Sequence, residues 1–214
     1  MGKIKQGVLG GFSGKVGNVI GGSWKGIDYM RIQPSSVVNP KTDLQVSMRS
    51  KFMLVVQFLQ PLIAVLRVGF RNYAIRMSAF NSAVSHNYHN ALQGSYPNYS
   101  IDFANVLVSR GKLTGALNPA IASGSAGTVT LSWEDNSADG NANLYDKTIA
   151  VVYNESKGEA VTLLGESERS ATSQSVTVPD SWASDMVHGY VAFYTEEGAL
   201  VSNSDYAGSV AVFG

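Results

Sequence analysis

The sequence predicts an α+β N-terminal half followed by an all-β sandwich. Three observations support this prediction. Glycines are interspersed with apolar residues through the first 32 positions. Apolar residues then recur at helical spacing from about residue 44, and short alternating segments separated by turn signals fill residues 113–214. With 44% hydrophobic and 15% charged residues among 214, the chain is too apolar for intrinsic disorder, which requires low hydrophobicity and high net charge.

The first 32 residues are rich in glycine, which occupies nine of the first 26 positions. Each glycine inside a helix costs about 1 kcal/mol relative to alanine, so this segment predicts strands rather than a helix. Trp24, Ile27 and Tyr29 compete with Met30 and Ile32 for a buried face. We expect one or two hairpins or an extended arm over residues 1–32.

A first helix is predicted at about residues 40–70, after a loop. Asn39 is its expected N-cap, with Pro40 at the first helical position. Pro61 is expected to kink or break the helix near residue 60, because proline lacks the N–H that an interior turn uses. The apolar residues at spacings of three and four are Leu44, Met48, Phe52, Val55, Val56, Leu59 and Ile63.

A second helix is predicted at residues 74–92, followed by a strand at residues 100–108. With the arm and the first helix, these elements form a predicted basic assembly domain, residues 1–112. The short strands that follow form a predicted acidic β-sandwich domain, residues 113–214.

The net charge of zero hides two unlike halves. Residues 1–112 carry thirteen bases and three acids, whereas residues 113–214 carry three bases and thirteen acids. Three interpretations stay open for such an asymmetry. The basic half of one subunit contacts the acidic half of the next, the two halves neutralise each other within one subunit, or the basic half binds an external polyanion. We favour the first, a head-to-tail contact that yields rings or filaments.

Several kinds of catalytic or cofactor site are excluded or disfavoured by the sequence. The chain has no cysteine, which excludes disulfides, iron–sulfur clusters and cysteine nucleophiles. A phosphate-binding P-loop is disfavoured, because Gly14 and Lys15 are followed by Val16 and the first glycine of that motif is replaced by Leu9. We therefore expect no cofactor.

The remaining polar residues do not form a recognisable catalytic pattern. His86 and His89 are spaced to share a helix face, but a metal site needs a third ligand. His188 lies on a predicted strand without a nucleophile-elbow motif in the sequence. Paired carboxylates fall at strand ends and turns, where solvated acids are normal. We expect no metal and no enzymatic activity.

The C-terminal half resembles a fibronectin type III domain. The segment TVTLSWE at Thr128–Glu134 is similar to the second strand of that fold, with its core tryptophan. The run YVAFYTEEGALVSNS at residues 190–204 resembles its sixth strand, the following hairpin and its seventh strand. The resemblance covers residues 115–214 and implies a fibronectin III/Ig-like sandwich.

A second resemblance covers the whole chain. The motifs KIKQGVLGGFSGKVG at residues 3–17 and GSWKGIDY at residues 22–29, followed by Asn39-Pro40, resemble an uncharacterised family of proteins of about this length. Its members come from Bacteroidota and their phages. The resemblance implies no activity and no site residues.

We expect a non-enzymatic structural protein that self-assembles into a repeating particle. Among such proteins we favour a component of a phage or phage-like virion. Its partners would be further copies of itself or other particle proteins. The glycine-rich arm is able to add strands to a neighbour's sheet edge, and the large apolar helices exceed the needs of a small domain. The side chains expected to anchor the interface or the core are Phe12, Val16, Trp24, Phe52, Phe58 and Phe70.

Two alternative functions remain open. A sandwich of this kind could recognise a glycan or a host surface through loops 134–146 and 154–159. The aromatic residues near bases also fit a nucleic-acid-binding packaging protein, although the bases are too scattered for this to be favoured.

The expected compartment follows from the N-terminus. The segment after Lys3 and Lys5 is too glycine-rich for a signal peptide. We therefore expect synthesis in the cytoplasm and, for a particle component, residence in a virion. Gln57, Gln60, Pro61 and Arg67 interrupt the apolar run at residues 52–70, so we expect a buried helix and no membrane insertion.

Overall fold

The computed structural model describes residues 3–4, 11–36 and 39–214. The chain divides into two units, Met1–Asp43 and Leu44–Gly214. The part of the predicted arm at residues 5–10 lies outside the described residues.

The first unit holds one antiparallel sheet, called here the arm sheet. Its four strands follow one another in chain order: β1 (Lys3–Ile4), β2 (Phe12–Val16), β3 (Val19–Trp24) and β4 (Ile27–Ile32). Lys25 and Gly26, which join β3 to β4, both have positive φ angles of 46° and 81°. This is the backbone of a two-residue type I′ turn, whose twist matches that of the flanking strands. The predicted hairpins are confirmed.

Glycine at two positions of β3 lets aromatic rings lie on the sheet. A Cβ added to Gly21 would approach the Phe12 carbonyl oxygen to 2.3 Å and its ring to 2.9 Å. A Cβ on Gly22 would meet the Tyr29 hydroxyl at 2.9 Å. Gly21 and Gly22 therefore allow the close approach of Phe12 to one face of the sheet and of Tyr29 to the other.

The first predicted helix is present but begins later than expected. Helix α1 is Asp43–Leu59, and α2 is Ile63–Gly69. Asn39 and Pro40 are not its cap, because Lys41 adopts a positive φ of 47° that a helix cannot include. A 3₁₀ turn at Gln60–Leu62 separates the two helices, which confirms the predicted break at Pro61.

The second predicted helix is shorter than expected. Helix α3 is Ala79–Asn90, and the Ser78 hydroxyl caps it by accepting a hydrogen bond from the Asn81 amide at 3.1 Å. Arg76 has a positive φ of 57°, so the helix cannot extend back to residue 74.

The strand predicted at residues 100–108 is mostly wrong. A hairpin of β5 (Leu92–Ser95) and β6 (Asn98–Ile101) takes its place. Beyond it, the Asp102 carboxylate accepts a hydrogen bond from the Ala104 amide at 3.2 Å and starts a 3₁₀ turn at Phe103–Asn105. This local capping bond competes with strand pairing.

Seven further strands form a sandwich of two antiparallel sheets. The three-stranded sheet has the order β11-β8-β7, and the four-stranded sheet has the order β10-β9-β12-β13. The strands are β7 (Leu117–Ser125), β8 (Thr128–Glu134), β9 (Lys147–Asn154), β10 (Glu159–Glu168), β11 (Ser173–Thr177), β12 (Met186–Tyr194) and β13 (Asp205–Ala211). The predicted α+β region followed by an all-β sandwich is confirmed.

The four-stranded sheet is buried on both faces. Along β9, Ala150 and Val152 face the core between the two sheets, whereas Ile149, Val151 and Tyr153 belong to a second core beneath the helices. The same division holds along β12, where the residues alternate between the two cores. The second unit therefore has three layers: helices, four-stranded sheet and three-stranded sheet.

This layering places the domain division differently from the prediction. The boundary expected between residues 112 and 113 would separate the helices from the sheet that buries their apolar faces. The structural division instead falls after Asp43. The helices need the outer face of the sheet, since an amphipathic element is stable only when its apolar side is covered.

Candidate assembly surfaces and polar clusters

The arm sheet carries large apolar side chains on both faces. The register of β2, β3 and β4 divides these side chains between the two faces. One face carries Phe12, Val16, Val19, Met30 and Ile32, and the other carries Ile20, Trp24, Ile27 and Tyr29. The two sets that compete for burial in the sequence thus lie on opposite faces.

Most of these side chains are exposed. The exposed fraction is 75% for Ile32, 72% for Met30 and 56% for Trp24. A sheet normally buries its apolar face against a second layer, and soluble monomers rarely expose a continuous apolar area of this kind. The arm sheet therefore has the composition of a surface that another layer covers.

The outer strand of the arm sheet is an open edge. Strand β4 pairs with β3 and has no strand on its other side among the described residues. All six of its residues are exposed. An edge strand of this kind offers unpaired N–H and C=O groups to another strand.

A second apolar surface lies on the helices of the second unit. Leu44, Met48 and Phe52 lie four residues apart on α1, with exposed fractions of 73%, 51% and 55%. Phe52 also lines a cleft of about 400 Å³ against Phe80 and Tyr88 of α3. The Tyr88 hydroxyl donates a hydrogen bond to Met48 Sδ at 3.2 Å. We call Leu44, Met48, Phe52, Phe80 and Tyr88 the helical apolar surface.

The stretch Asp43–Gly69 is long and apolar enough to cross a membrane, judged by length and composition. Its second half is core, because Leu59, Leu62 and Leu66 are fully buried. A core helix of a soluble protein has the same composition. That the protein does not insert into a membrane stays a prediction.

The six predicted anchor residues divide into two groups. Phe58 and Phe70 are core residues, with exposed fractions of 3% and 0%. Phe12 is half-buried, and Val16, Trp24 and Phe52 are exposed. A contact of these four residues with a second subunit stays a prediction.

The charges of the two sequence halves do not pair with each other in the fully described stretch 39–214. Its ion pairs are Lys147–Glu168, Lys157–Asp185, Arg169–Asp146 and His188–Glu155. All of them lie within the acidic half. Lys51 and Arg110 instead lie over the rings of Tyr99 and Tyr73.

A buried arginine organises one end of the sandwich. Arg169 is fully buried, and its guanidinium donates hydrogen bonds to Asp146 Oδ2 at 3.1 Å and to Asn136 Oδ1 at 2.6 Å. It also lies 3.9 Å from the centre of the Phe193 ring. Burial lowers the pKa of Arg169, and Asp146 opposes this effect. The cluster is closed to solvent, so its role is structural.

Tyr206 of β13, His188 of β12 and Glu155 in the turn after β9 form a hydrogen-bonded chain, called here the polar relay. His188 Nδ1 lies 2.8 Å from the Tyr206 hydroxyl, and His188 Nε2 lies 3.3 Å from Glu155 Oε2. The imidazole stacks on the Phe103 ring at 3.7 Å. Burial lowers the pKa of His188, and Glu155 partly offsets this effect.

The two histidines on α3 do not form a metal site. His86 is half-buried, and burial, with a contribution from Arg110, lowers its pKa. His89 packs its ring against Tyr88. Among the residues that the structure describes, no three His, Asp or Glu side chains are placed to hold a metal ion.

Sequence reasoning missed the relay partners Glu155 and Tyr206 and the buried Arg169. Their spacing is long, and only the pairing of strands brings them together. One signal was available for Arg169, which is one of only three bases in residues 113–214. This scarcity does not by itself predict burial, because the neighbouring residues Glu166–Ser170 are all polar or charged.

The sandwich of β7–β13 has the two-sheet antiparallel architecture of immunoglobulin-like and fibronectin type III domains. The segment that resembles the second strand of a fibronectin type III domain forms β8, and its Trp133 is buried, as expected. The run at residues 190–204 covers part of β12 and the following connection, and the seventh strand itself begins at Asp205.

Solved structures that are similar to the chain include two fibronectin type III domains. One is the fn3 domain of human collagen alpha-1(XX) chain, with 13% identity, a TM-score of 0.37, and coverage of 48% of this chain and 88% of that domain. The other is the FN5 domain of Drosophila Lar, with 14% identity, a TM-score of 0.32, and coverage of 46% and 95%. No curated protein matches the chain.

The family comparison covers nearly the whole chain. A match extends over residues 11–208, so it includes most of the arm sheet, the helices and the sandwich. An origin in Bacteroidota or their phages is not part of this finding and stays a prediction. The chain belongs to the family described as a family of unknown function, DUF6266.

Proposed function

We propose that the protein is a non-enzymatic structural component that assembles with further copies of itself, and that the arm sheet is the principal contact. The observation that carries the proposal is the exposure of large apolar side chains on both faces of one sheet, including Trp24, Met30 and Ile32. Burying such area is the dominant favourable contribution to protein association. A second copy supplies the missing layer.

The open edge of β4 allows the contact between copies to be head-to-tail. Strand addition satisfies the unpaired backbone groups of an edge, while alternate side chains supply specificity. If β4 of one copy pairs with a strand of a different kind in the next, the contact is head-to-tail and repeats. Such a contact builds a ring or a filament.

Attraction between opposite charges provides a second contribution to the proposed assembly. The helical apolar surface is flanked by Arg49 and Lys51 of α1, whose cations form no ion pair with any residue that the structure describes. The loop at residues 134–146 carries three exposed acids beside Leu144 and Tyr145, which are 44% and 60% exposed. These two surfaces complement each other in charge and both are apolar. We propose that they meet between neighbouring copies.

A phage or phage-like virion is the repeating particle we propose. Its support is the sequence resemblance to proteins of Bacteroidota and their phages, together with the self-complementary surfaces described above.

The mass of the full-length protein, measured by light scattering over a range of concentrations, tests the proposal. We expect a large assembly that becomes smaller at high salt, because salt screens the attraction between exposed charges. The double variant Met30→Lys/Ile32→Lys places two charges on one face of the arm sheet and is expected to dissociate the assembly.

A matched control separates this interface from a general effect of added charge. Met186→Lys/Leu200→Lys replaces two exposed apolar side chains of the sandwich, 45% and 38% exposed, and is expected to leave the assembly intact. The proposal fails if the wild-type protein is a monomer at every concentration. It also fails if the control dissociates the assembly as strongly as the arm variant does.

A further inference from the structure

A cleft of about 960 Å³ opens on the second unit, and none of its lining residues belongs to the arm sheet or to the helical apolar surface. It lies between the end of α1 with the 3₁₀ turn that follows, the β5–β6 hairpin, and the turn from β9 to β10. Its volume is at the upper end of the range typical of small-molecule sites, about 300–1,000 Å³. Loop 154–159, singled out in the sequence, forms one wall, whereas loop 134–146 does not line it.

Tyr153 presents an unpartnered hydroxyl in this cleft. Its side chain is 6% exposed, and its ring packs edge-to-face against Phe58 at 4.7 Å. The hydroxyl has no hydrogen-bond partner among the described residues, although a buried tyrosine usually finds one. Gly158 also lines the cleft, and a Cβ at this position would lie 3.8 Å from the hydroxyl oxygen, an ordinary van der Waals distance. Burial and Glu155 raise the pKa of Tyr153, so the hydroxyl stays a donor.

Glu155 is held on the wall of the same cleft by the relay. Its carboxylate is acceptor-only when ionised, so His188 Nε2 carries the proton that it donates to Glu155 Oε2 at 3.3 Å. His188 Nδ1 therefore accepts from the Tyr206 hydroxyl at 2.8 Å. The side chain of Glu155 is 56% exposed, and its Oε1 makes no hydrogen bond within the described residues. A positioned acceptor thus lies near the Tyr153 donor.

We propose that this cleft binds a neutral carbohydrate. Each sugar hydroxyl both donates and accepts, and the Tyr153 hydroxyl and the Glu155 carboxylate supply one partner of each kind. The exposed amides of Gln57 and Gln60 line the opposite wall and can do both. The cleft also has an apolar part that includes the partly buried Leu54, Val56 and Phe103, and such a surface suits the C–H groups of sugar rings.

A phosphate-bearing ligand fits the cleft less well. Lys157 is the cation among the lining residues, and its Nζ is already 2.9 Å from Asp185 Oδ2 and in contact with the Ser181 carbonyl. The exposed carboxylate of Glu155 would repel an anion. The site therefore matches a neutral polyhydroxylated ligand.

Isothermal titration calorimetry of the full-length protein tests this proposal. The probes are maltotriose, cellotriose, xylotriose and tri-N-acetylchitotriose, with inorganic pyrophosphate as the anionic comparator. We expect saturable binding of at least one trisaccharide. Tyr153→Phe and Glu155→Gln should each weaken it by about tenfold, which is the scale of one lost hydrogen bond. The control Tyr73→Phe, at a tyrosine that does not line the cleft, should bind as tightly as the wild type.

The variants are chosen so that a loss of ligand binding can be distinguished from a loss of folding. Tyr153→Phe retains the buried ring and Glu155→Gln keeps its size, and each is checked by its thermal unfolding midpoint. The proposal is overturned if no trisaccharide binds saturably, if pyrophosphate binds instead, or if folded Tyr153→Phe and Glu155→Gln bind as tightly as the wild type. Loss of self-assembly in the arm variant would not affect this result, so the two proposals fail separately.

Discussion

Replacing Arg169 with methionine is expected to destabilise the second unit by about 3–5 kcal/mol. The guanidinium lies in a pocket without solvent and donates hydrogen bonds to Asp146, to Asn136, and to the carbonyls of Thr114 and Gly115 at 2.9 and 3.0 Å. It thereby joins the segment before β7, the segment after β8 and the residue before β9. Removing it takes one donor from each of these acceptors, although the Asn143 amide still donates to Asp146 Oδ2 and Asn136 Nδ2 still donates to the Gly115 carbonyl.

The size of the expected loss of stability follows from the burial of Asp146, the ion-pair partner of Arg169. The Asp146 side chain is 2% exposed, and breaking a buried ion pair by removing one member costs about 3–5 kcal/mol because the other charge stays buried. Methionine preserves contact with the Phe193 ring, so the loss reports mainly on the polar interactions. For a protein of this size, each kcal/mol lowers Tm by about 2–4 °C. The expected decrease is therefore roughly 6–20 °C.

The assay is urea unfolding of the full-length protein, arranged as a double-mutant cycle with Asp146→Leu. The double variant is expected to lose less stability than the two single variants combined, because it removes both charges. The control is Lys147→Met, which breaks an ion pair whose side chains are 27% and 39% exposed. Exposed pairs contribute little, so this variant should unfold close to the wild type. Additive single effects, or Arg169→Met behaving like Lys147→Met, would refute the reasoning.

Three further predictions concern the interface, the core and the pH dependence. Trp24 is 56% exposed, which is about 140 Å² if a whole tryptophan side chain has roughly 250 Å². Trp24→Ala removes this apolar area and is expected to weaken self-association by up to about 3.5 kcal/mol, at ~25 cal/mol per Å². In a light-scattering dilution series, the variant should therefore dissociate at a higher protein concentration than the wild type. Phe58→Ala removes a core ring that contacts Tyr153 and Phe103 and should cost about 3–5 kcal/mol in urea unfolding. Because the pKa of His188 is lowered in the fold, the unfolded chain takes up its proton first, so Tm should fall as pH decreases from 7 to 5. His188→Gln should reduce this slope without abolishing it, since the pKa of His86 is also lowered, and an unchanged slope would contradict the prediction.

Local patterns predicted the elements whose cause is local. The glycines of the arm predicted strands, and the two-residue turn at Lys25 and Gly26 is a short-range property of the backbone. Pro61 breaks the helix because it lacks an N–H, whatever surrounds it. The alternation along β12 also holds, since side chains of a strand point to opposite faces in turn.

Element boundaries and the candidate sites depended on contacts between distant residues. The helix starts at Asp43 and Ala79 are set by backbone angles at Lys41 and Arg76, which composition does not reveal. The division after Asp43 arises because β9 and β12 bury their outer faces under the helices. A sequence pattern shows that a strand is apolar on both faces but not which element covers each face.

The sequence by itself determined the class of the fold, its hairpins, its helices and the uneven distribution of charge. Each follows from the period, propensity or composition of a continuous segment. Only the tertiary structure placed Tyr153 beside Glu155, paired Arg169 with Asp146, and left both faces of the arm sheet exposed. Those relations join residues through strand pairing and layer packing, whose free energy comes from area buried between segments that are far apart in the chain.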